Sequence, residues 1–127
     1  MRSMAEFEHL SKAYDVGDLL DDVASADPPA YLHRLFAEAA STAELSWLRV
    51  QQLALGAMVL DAIVNDRDYE FFERELIADW RVHYAKTCRK LRETALQALH
   101  RALERERTRD PGAAAELETL VNRLTGA

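Results

Sequence analysis

The sequence predicts an all-α protein, a helical bundle of four to six helices in one domain over residues 1–127. Three observations predict it. Leu53 to Val64 is apolar or glycine at every position except Asp61, so this helix has no polar face to turn to water and belongs at the centre of a core. Phe72, Leu76, Trp80, Tyr84, Cys88, Leu91, Ala95, Leu99 and Ala102 step by four or three, the spacing of one helix face. Helix starts and stops punctuate the chain, and no alternating strand pattern occurs between them.

Taken in order, Ser3-x-x-Glu6 has capping-box spacing and predicts a short helix to about Tyr14, with Phe7, Leu10 and Tyr14 on one face and Gly17 at its end. Asp18 to Val23 predicts another turn or two. Asp27-Pro28-Pro29 marks a new start, because proline lacks only an N–H that the first helical turn leaves unpaired anyway. The helix that follows, about 29–40, carries Tyr31, Leu32, Leu35, Phe36 and Ala39 as its stripe.

Ser41-x-x-Glu44 repeats the capping-box spacing and predicts a central helix over about 42–65. Gly56 costs roughly 1 kcal/mol against alanine inside a helix, which predicts close approach of another helix there. A helix apolar on all sides needs cover on all sides, and a second copy packing over Gly56 and Asp61 is one source of it.

The last break but one, Asn65-Asp66-Arg67-Asp68, precedes one long helix over about 69–108 with no glycine or proline inside. Forty helical residues span about 60 Å, more than a globule of this size, so the helix either breaks or projects. Asp110-Pro111-Gly112 then stops it and caps a final helix over Ala113–Leu124, whose face is Leu117, Leu120, Val121 and Leu124.

Composition narrows the function classes. A chain of 127 residues that is 49% hydrophobic buries a core without disulfide or metal support. The single cysteine, Cys88, has no partner for an internal disulfide and fits a reducing cytoplasm. Met1–Glu6 lacks the apolar segment of a secretory signal, which predicts a soluble cytoplasmic protein without membrane attachment. The net charge of −6 is unevenly spread: −10 over residues 1–80, +6 over 81–109 and −2 over 110–127. One sharply bounded cationic segment in an acidic chain has two readings, an acidic partner or pairing with the chain's own acidic half.

Within that segment His83, Lys86, Lys90 and Arg101 face away from the apolar stripe, with Arg81, Arg89 and Arg105 completing a candidate contact set for a partner or a nucleic-acid backbone. Lys86/Lys90 and Arg101/Arg105 are same-sign pairs at i, i+4, whose repulsion an anionic partner relieves. Phe71, Phe72, Trp80 and Tyr84 are the aromatic candidates for an interface. Asp15, Asp18, Asp21, Asp22 and Asp27 form an acidic edge without EF-hand order, able to dock on the basic helix of the same or a neighbouring chain. Glu70, Glu73, Glu75 and Asp79, with His83, are the one possible metal cluster. Glu70-x-x-Glu73 matches half of the E-x-x-E/E-x-x-D pattern of all-α nucleotide pyrophosphatases, but no E-x-x-D follows.

Asp61 is either paired, with Arg81 or Arg92 as candidates, or sits where its helix opens to solvent, the commoner outcome for a lone acid. His9, His33, His83 and His100 lie apart with no nucleophile beside them, the four glycines form no phosphate loop, and Cys88 lies on the apolar face. The sequence therefore predicts no catalytic, metal or cofactor site. It predicts a non-enzymatic helical interaction protein, a self-associating adaptor or regulator. The alternative is an oligomeric nucleic-acid-associated protein binding phosphates through 81–109, and a metal-dependent hydrolase of the all-α type stands behind both.

Overall fold

The computed structural model of the protein describes residues 7–10, 21–24, 27–69 and 72–126. Among the described residues five longer helices follow one another: α1 (Pro28–Ser41), α2 (Trp47–Asn65), α3 (Arg74–Arg89), α4 (Arg92–Arg109) and α5 (Pro111–Thr125). Residues 21–24 are also helical, and no strand occurs among the described residues. This is the all-α bundle expected of the sequence. The capping box at Ser3, Tyr14 and Gly17 lie outside the described residues.

α2 is the axis. From Val50 to Ile63 every residue except Gln52 is buried, and α2 packs against each of the other four helices. By length and composition α2 is apolar enough to cross a membrane, but 72% of that window is buried inside the protein. α1 crosses it at Gly56, where a Cβ would stand 2.7 Å from Leu35 Cδ2. The close approach predicted from this glycine is therefore made by the chain's own α1. Asp61 is fully buried as well, so the cover over Gly56 and Asp61 comes from within the chain and not from a second copy.

α1 begins on Pro28 and Pro29, with Asp27 extended at the cap position and its carbonyl accepting from Tyr31 N at 2.9 Å. The Asp27 side chain makes no capping bond. The predicted start of the central helix needs correction. Ser41 still belongs to α1, and its hydroxyl donates back to the carbonyls of Ala37 and Glu38. A hydroxyl used in this way offers nothing forward, so Ser41-x-x-Glu44 forms no capping box. The cap is Ser46, which accepts from Arg49 N at 3.1 Å.

The single long helix over 69–108 is also corrected. Lys90 and Leu91 interrupt it, with Lys90 N donating to Thr87 O and Leu91 N to Cys88 O at 3.2 and 3.0 Å before Ala95 N bonds Leu91 O. These are tight i→i−3 bonds of one 3₁₀-like turn. A straight rod of that length would carry its far half beyond the core. Broken at Lys90–Leu91, α3 packs on α2 while α4 packs on α1 and α5, and Cys88, Leu91, Ala95 and Leu99 are all buried.

Asp110 closes α4 and opens α5: its Oδ1 accepts from Gly112 N and Ala113 N at 3.1 and 3.2 Å, with Pro111 at the first helical position. The His9 ring lies directly over Gly112, where any Cβ would collide with it. Glu116 accepts from His9 N and Leu10 N, both at 3.0 Å, and Gln51 Nε2 donates to Leu10 O at 3.1 Å. Residues 7–10 are thus fixed onto α5 and α2, and Phe7 and Leu10 enter the core.

Candidate functional site

The side chains of the cationic segment 81–109 divide into two groups. The last four carbonyls of a helix have no intrahelical donor, and arginines of 81–109 supply donors to two such ends. Arg81 Nη2 donates to Ala62 O, in the last turn of α2, at 2.9 Å, while its Nη1 pairs with Asp66 at 2.9 Å. Arg101 Nη1 donates to Ala39 O and Ala40 O at the end of α1, at 3.2 and 2.6 Å. Arg92 Nη2 donates to Asn65 Oδ1 at 3.3 Å. Arg105 stands 3.6 Å from the buried Glu106 carboxylate. These guanidinium groups act within the fold.

His83, Lys86, Arg89 and Lys90 form the second group, exposed along the outer side of α3 and its end. His83 Nε2 lies 3.3 Å from Asp79. The side chains of Lys86, Arg89 and Lys90 make no hydrogen bond or ion pair with any described residue. Their place at the C-terminal turn of α3, like that of Arg107 and Arg109 in α4, complements the negative end of each helix dipole. Two helix ends inside one sequence segment account for much of its +6 charge.

Of the aromatic interface candidates, Phe72 and Trp80 are buried in the core and Tyr84 packs half-buried against it. Phe71 lies outside the described residues. The large apolar side chains that do reach solvent, among those described, are Leu48 and Val82, 51% and 80% exposed. Val82 lies among the exposed charges of α3, two positions from Trp80, and so on the opposite side of the helix from the core.

Asp61 is not solvent-facing, and its partners are local. Its carboxylate is wholly buried and accepts from Arg67 Nε at 2.5 Å, Tyr69 OH at 2.6 Å and Asn65 Nδ2 at 2.7 Å. Arg123 donates to the Tyr69 oxygen at 3.2 Å and lies over the Phe7 and Tyr69 rings at 5.3 and 5.6 Å. Burial first, then the bond to Asp61, pushes the Tyr69 hydroxyl well above its ordinary pKa. Burial lowers that of Arg123. The network joins α2, the 66–69 link, residues 7–10 and α5 around one buried anion. Beside it, a cleft of about 290 Å³ opens between α2, the link and α3, lined by Arg67, Arg74, Arg81, Phe72 and Ile77 among others. Its three guanidinium groups already face Asp61, Asp68 and Asp66, so the cleft carries no surplus charge for an anionic ligand.

Glu106 is the second buried acid, and its spacing signals this where its charge obscures it: Leu99, Ala102, Leu103 and Glu106 share the inner face of α4. Both carboxylate oxygens lack a hydrogen bond. Arg105 and Arg109 lie 3.6 and 3.8 Å away, and Arg109 also stacks 5.5 Å over the Trp47 ring. Burial raises the Glu106 pKa, and the two arginines oppose that shift. Burial likewise pushes the Cys88 thiol up to about 11, which leaves it protonated and a poor nucleophile at neutral pH.

Glu73, Glu75 and Asp79 are exposed, while Glu70 lies outside the described residues. Among the described residues no three His, Cys, Asp or Glu side chains converge as metal ligands. Asp21 and Asp22 of the acidic edge are exposed on the helical turn 21–24, and Asp15 and Asp18 lie outside the described residues. Comparison with protein-family models, with curated proteins and with solved structures finds no match to this chain.

Proposed function

We propose that this chain is a non-enzymatic helical interaction protein, a self-associating adaptor or regulator of the cytoplasm, and that α3 presents its contact surface. The observation that supports this reading is the outer side of α3. There an 80% exposed Val82 sits among Lys86, Arg89 and Lys90, cations with no partner in the described fold, whereas Arg81, Arg101 and Arg105 are engaged internally. An exposed apolar side chain flanked by unpaired charge suits a modest, salt-sensitive protein contact. The test is light-scattering mass against concentration. The reading expects a mass rising above 14.4 kDa, and a constant monomer mass at every concentration refutes it.

The same three cations favour a second reading, contact with nucleic-acid phosphates. Three phosphate contacts give a slope of log K against log salt of about −2.7 on duplex DNA. Binding with that slope, lost in Lys86→Glu, supports this reading over the first. Absence of binding at low salt removes it.

A further inference from the structure

We propose that two copies of this chain pair through the outer sides of α3, antiparallel, about a twofold axis passing between Val82 and His83. The inference rests on the self-association reading and gives it a surface and a geometry.

Glu75, Asp79, Val82, Lys86 and Lys90 recur at four, three, four and four residues and are all exposed, so they form one outward stripe along α3 and its C-terminal cap residue, Lys90. The stripe has a polarity: acids precede Val82 and cations follow it. A twofold axis between Val82 and His83 brings Glu75 opposite the partner's Lys90 and Asp79 opposite the partner's Lys86. Each pair then occurs twice, as an isologous contact requires. Val82 and His83 meet the partner's His83 and Val82 at the centre, where the exposed valine loses its water. A parallel pairing puts acid on acid and cation on cation, so the charge pattern selects against it.

The helix dipole alone favours acids at the start of α3 and cations at its end. It does not call for an 80% exposed valine at the crossover between the two. α4 also runs from Glu93 to Arg107 and Arg109, yet none of its exposed residues is a large hydrophobe. α3 has 16 residues and so is about 24 Å long. One such helix pair buries less than the about 1,200 Å² of stable complexes. The dimer is accordingly weak, with a dissociation constant between about 1 μM and about 1 mM, and it dissociates further in about 1 M salt, where the screening length is about 3 Å.

The test uses two charge variants, Glu75→Lys/Asp79→Lys and Lys86→Glu/Lys90→Glu, measured by sedimentation equilibrium alone and mixed. Each alone should dimerise at least about tenfold more weakly than wild type, because like charges then face each other. Their equimolar mixture should recover dimer, because an all-cationic stripe meets an all-anionic one. Far-UV circular dichroism confirms that each variant is folded, and Val82→Glu, a change at an exposed position, gives an independent loss of dimer. A wild-type dimer that both charge variants and Val82→Glu leave unchanged overturns this surface while self-association stands. Recovery absent from the mixture overturns the antiparallel register. A wild type monomeric at all concentrations removes the self-association reading itself.

Discussion

Replacing Asp61 with alanine tests the buried network that closes the end of α2. The carboxylate is fully buried and accepts three bonds of 2.5–2.7 Å, from Arg67, Tyr69 and Asn65. Breaking a buried ion pair by removing one partner costs about 3–5 kcal/mol when the other charge stays buried. Here the Arg67 side chain is 41% exposed and regains water once its partner is gone, which lowers the cost. Tyr69 is buried, and its hydroxyl loses the Asp61 carboxylate as an acceptor while Arg123 still donates to it. The expected loss for Asp61→Ala is therefore about 2–4 kcal/mol, a large share of the about 5–15 kcal/mol that holds a domain of this kind folded. Tyr69→Phe removes one bond to the same carboxylate and should cost about 1.5–3 kcal/mol. The double variant should lose less than the sum of the two. Urea unfolding followed by circular dichroism reads all three, and losses below about 0.5 kcal/mol for both single variants refute the network as a structural element.

Three further outcomes follow from other parts of the fold. Gly56→Ala gains about 1 kcal/mol of helix propensity but drives a Cβ to 2.7 Å from Leu35 Cδ2, and overpacking costs about 1–3 kcal/mol. The net expectation is a loss of about 0–2 kcal/mol in urea unfolding, and a clear gain contradicts the contact with α1. Arg101→Ala leaves the terminal carbonyls of α1 without their donor and should cost about 1–2 kcal/mol, whereas exposed Lys86→Ala should change stability by less than about 0.5 kcal/mol. Equal effects of the two argue against the division between internal and outward cations.

The acid at Glu106 sets a pH dependence. Its folded pKa is raised above the ordinary 4.5, chiefly by burial, so the folded state binds its proton more tightly than the unfolded chain does. The stabilisation this gives is complete below about 4.5 and is lost as pH rises through the folded value. Glu106→Gln should therefore melt at a higher temperature than wild type near neutral pH, with the gap closing in acid. Asp110 acts in the opposite sense, since its pKa is lowered, first by the bond from Ala113 N, and its contribution fades as pH falls below 3.8. A Glu106→Gln gap that widens in acid contradicts the assignment.

Much of the fold is legible in local chemistry. Pro28-Pro29 and Asp110-Pro111 open α1 and α5 because proline at the first helical turn is a local preference. The apolar run of α2 predicts its own burial, and Gly56 predicts the helix that crosses it. The break at Lys90–Leu91 is not legible, because neither residue breaks helices and the bend is set by what α3 and α4 pack against. Ser41 and Ser46 both precede plausible helix starts, and only the extent of α1 decides between them. Asp61 invited partners from distant helices, yet Asn65, Arg67 and Tyr69 lie within eight residues of it. The roles of Arg81 and Arg101 escape sequence reading because their acceptor carbonyls lie 19 and 61–62 residues away. The exposure of Val82 follows from how α3 is rotated, which periodicity indicates once Trp80 is placed in the core.

Pairing of two copies of the chain through the exposed stripe of α3 carries the proposed function. It is tested most directly by the mass of the wild-type protein at low salt, followed by sedimentation equilibrium across its concentration range and repeated in about 1 M salt. Such a dimer gives a mass that climbs toward twice 14.4 kDa at low salt and falls back in high salt. A mass fixed at 14.4 kDa under both conditions contradicts it.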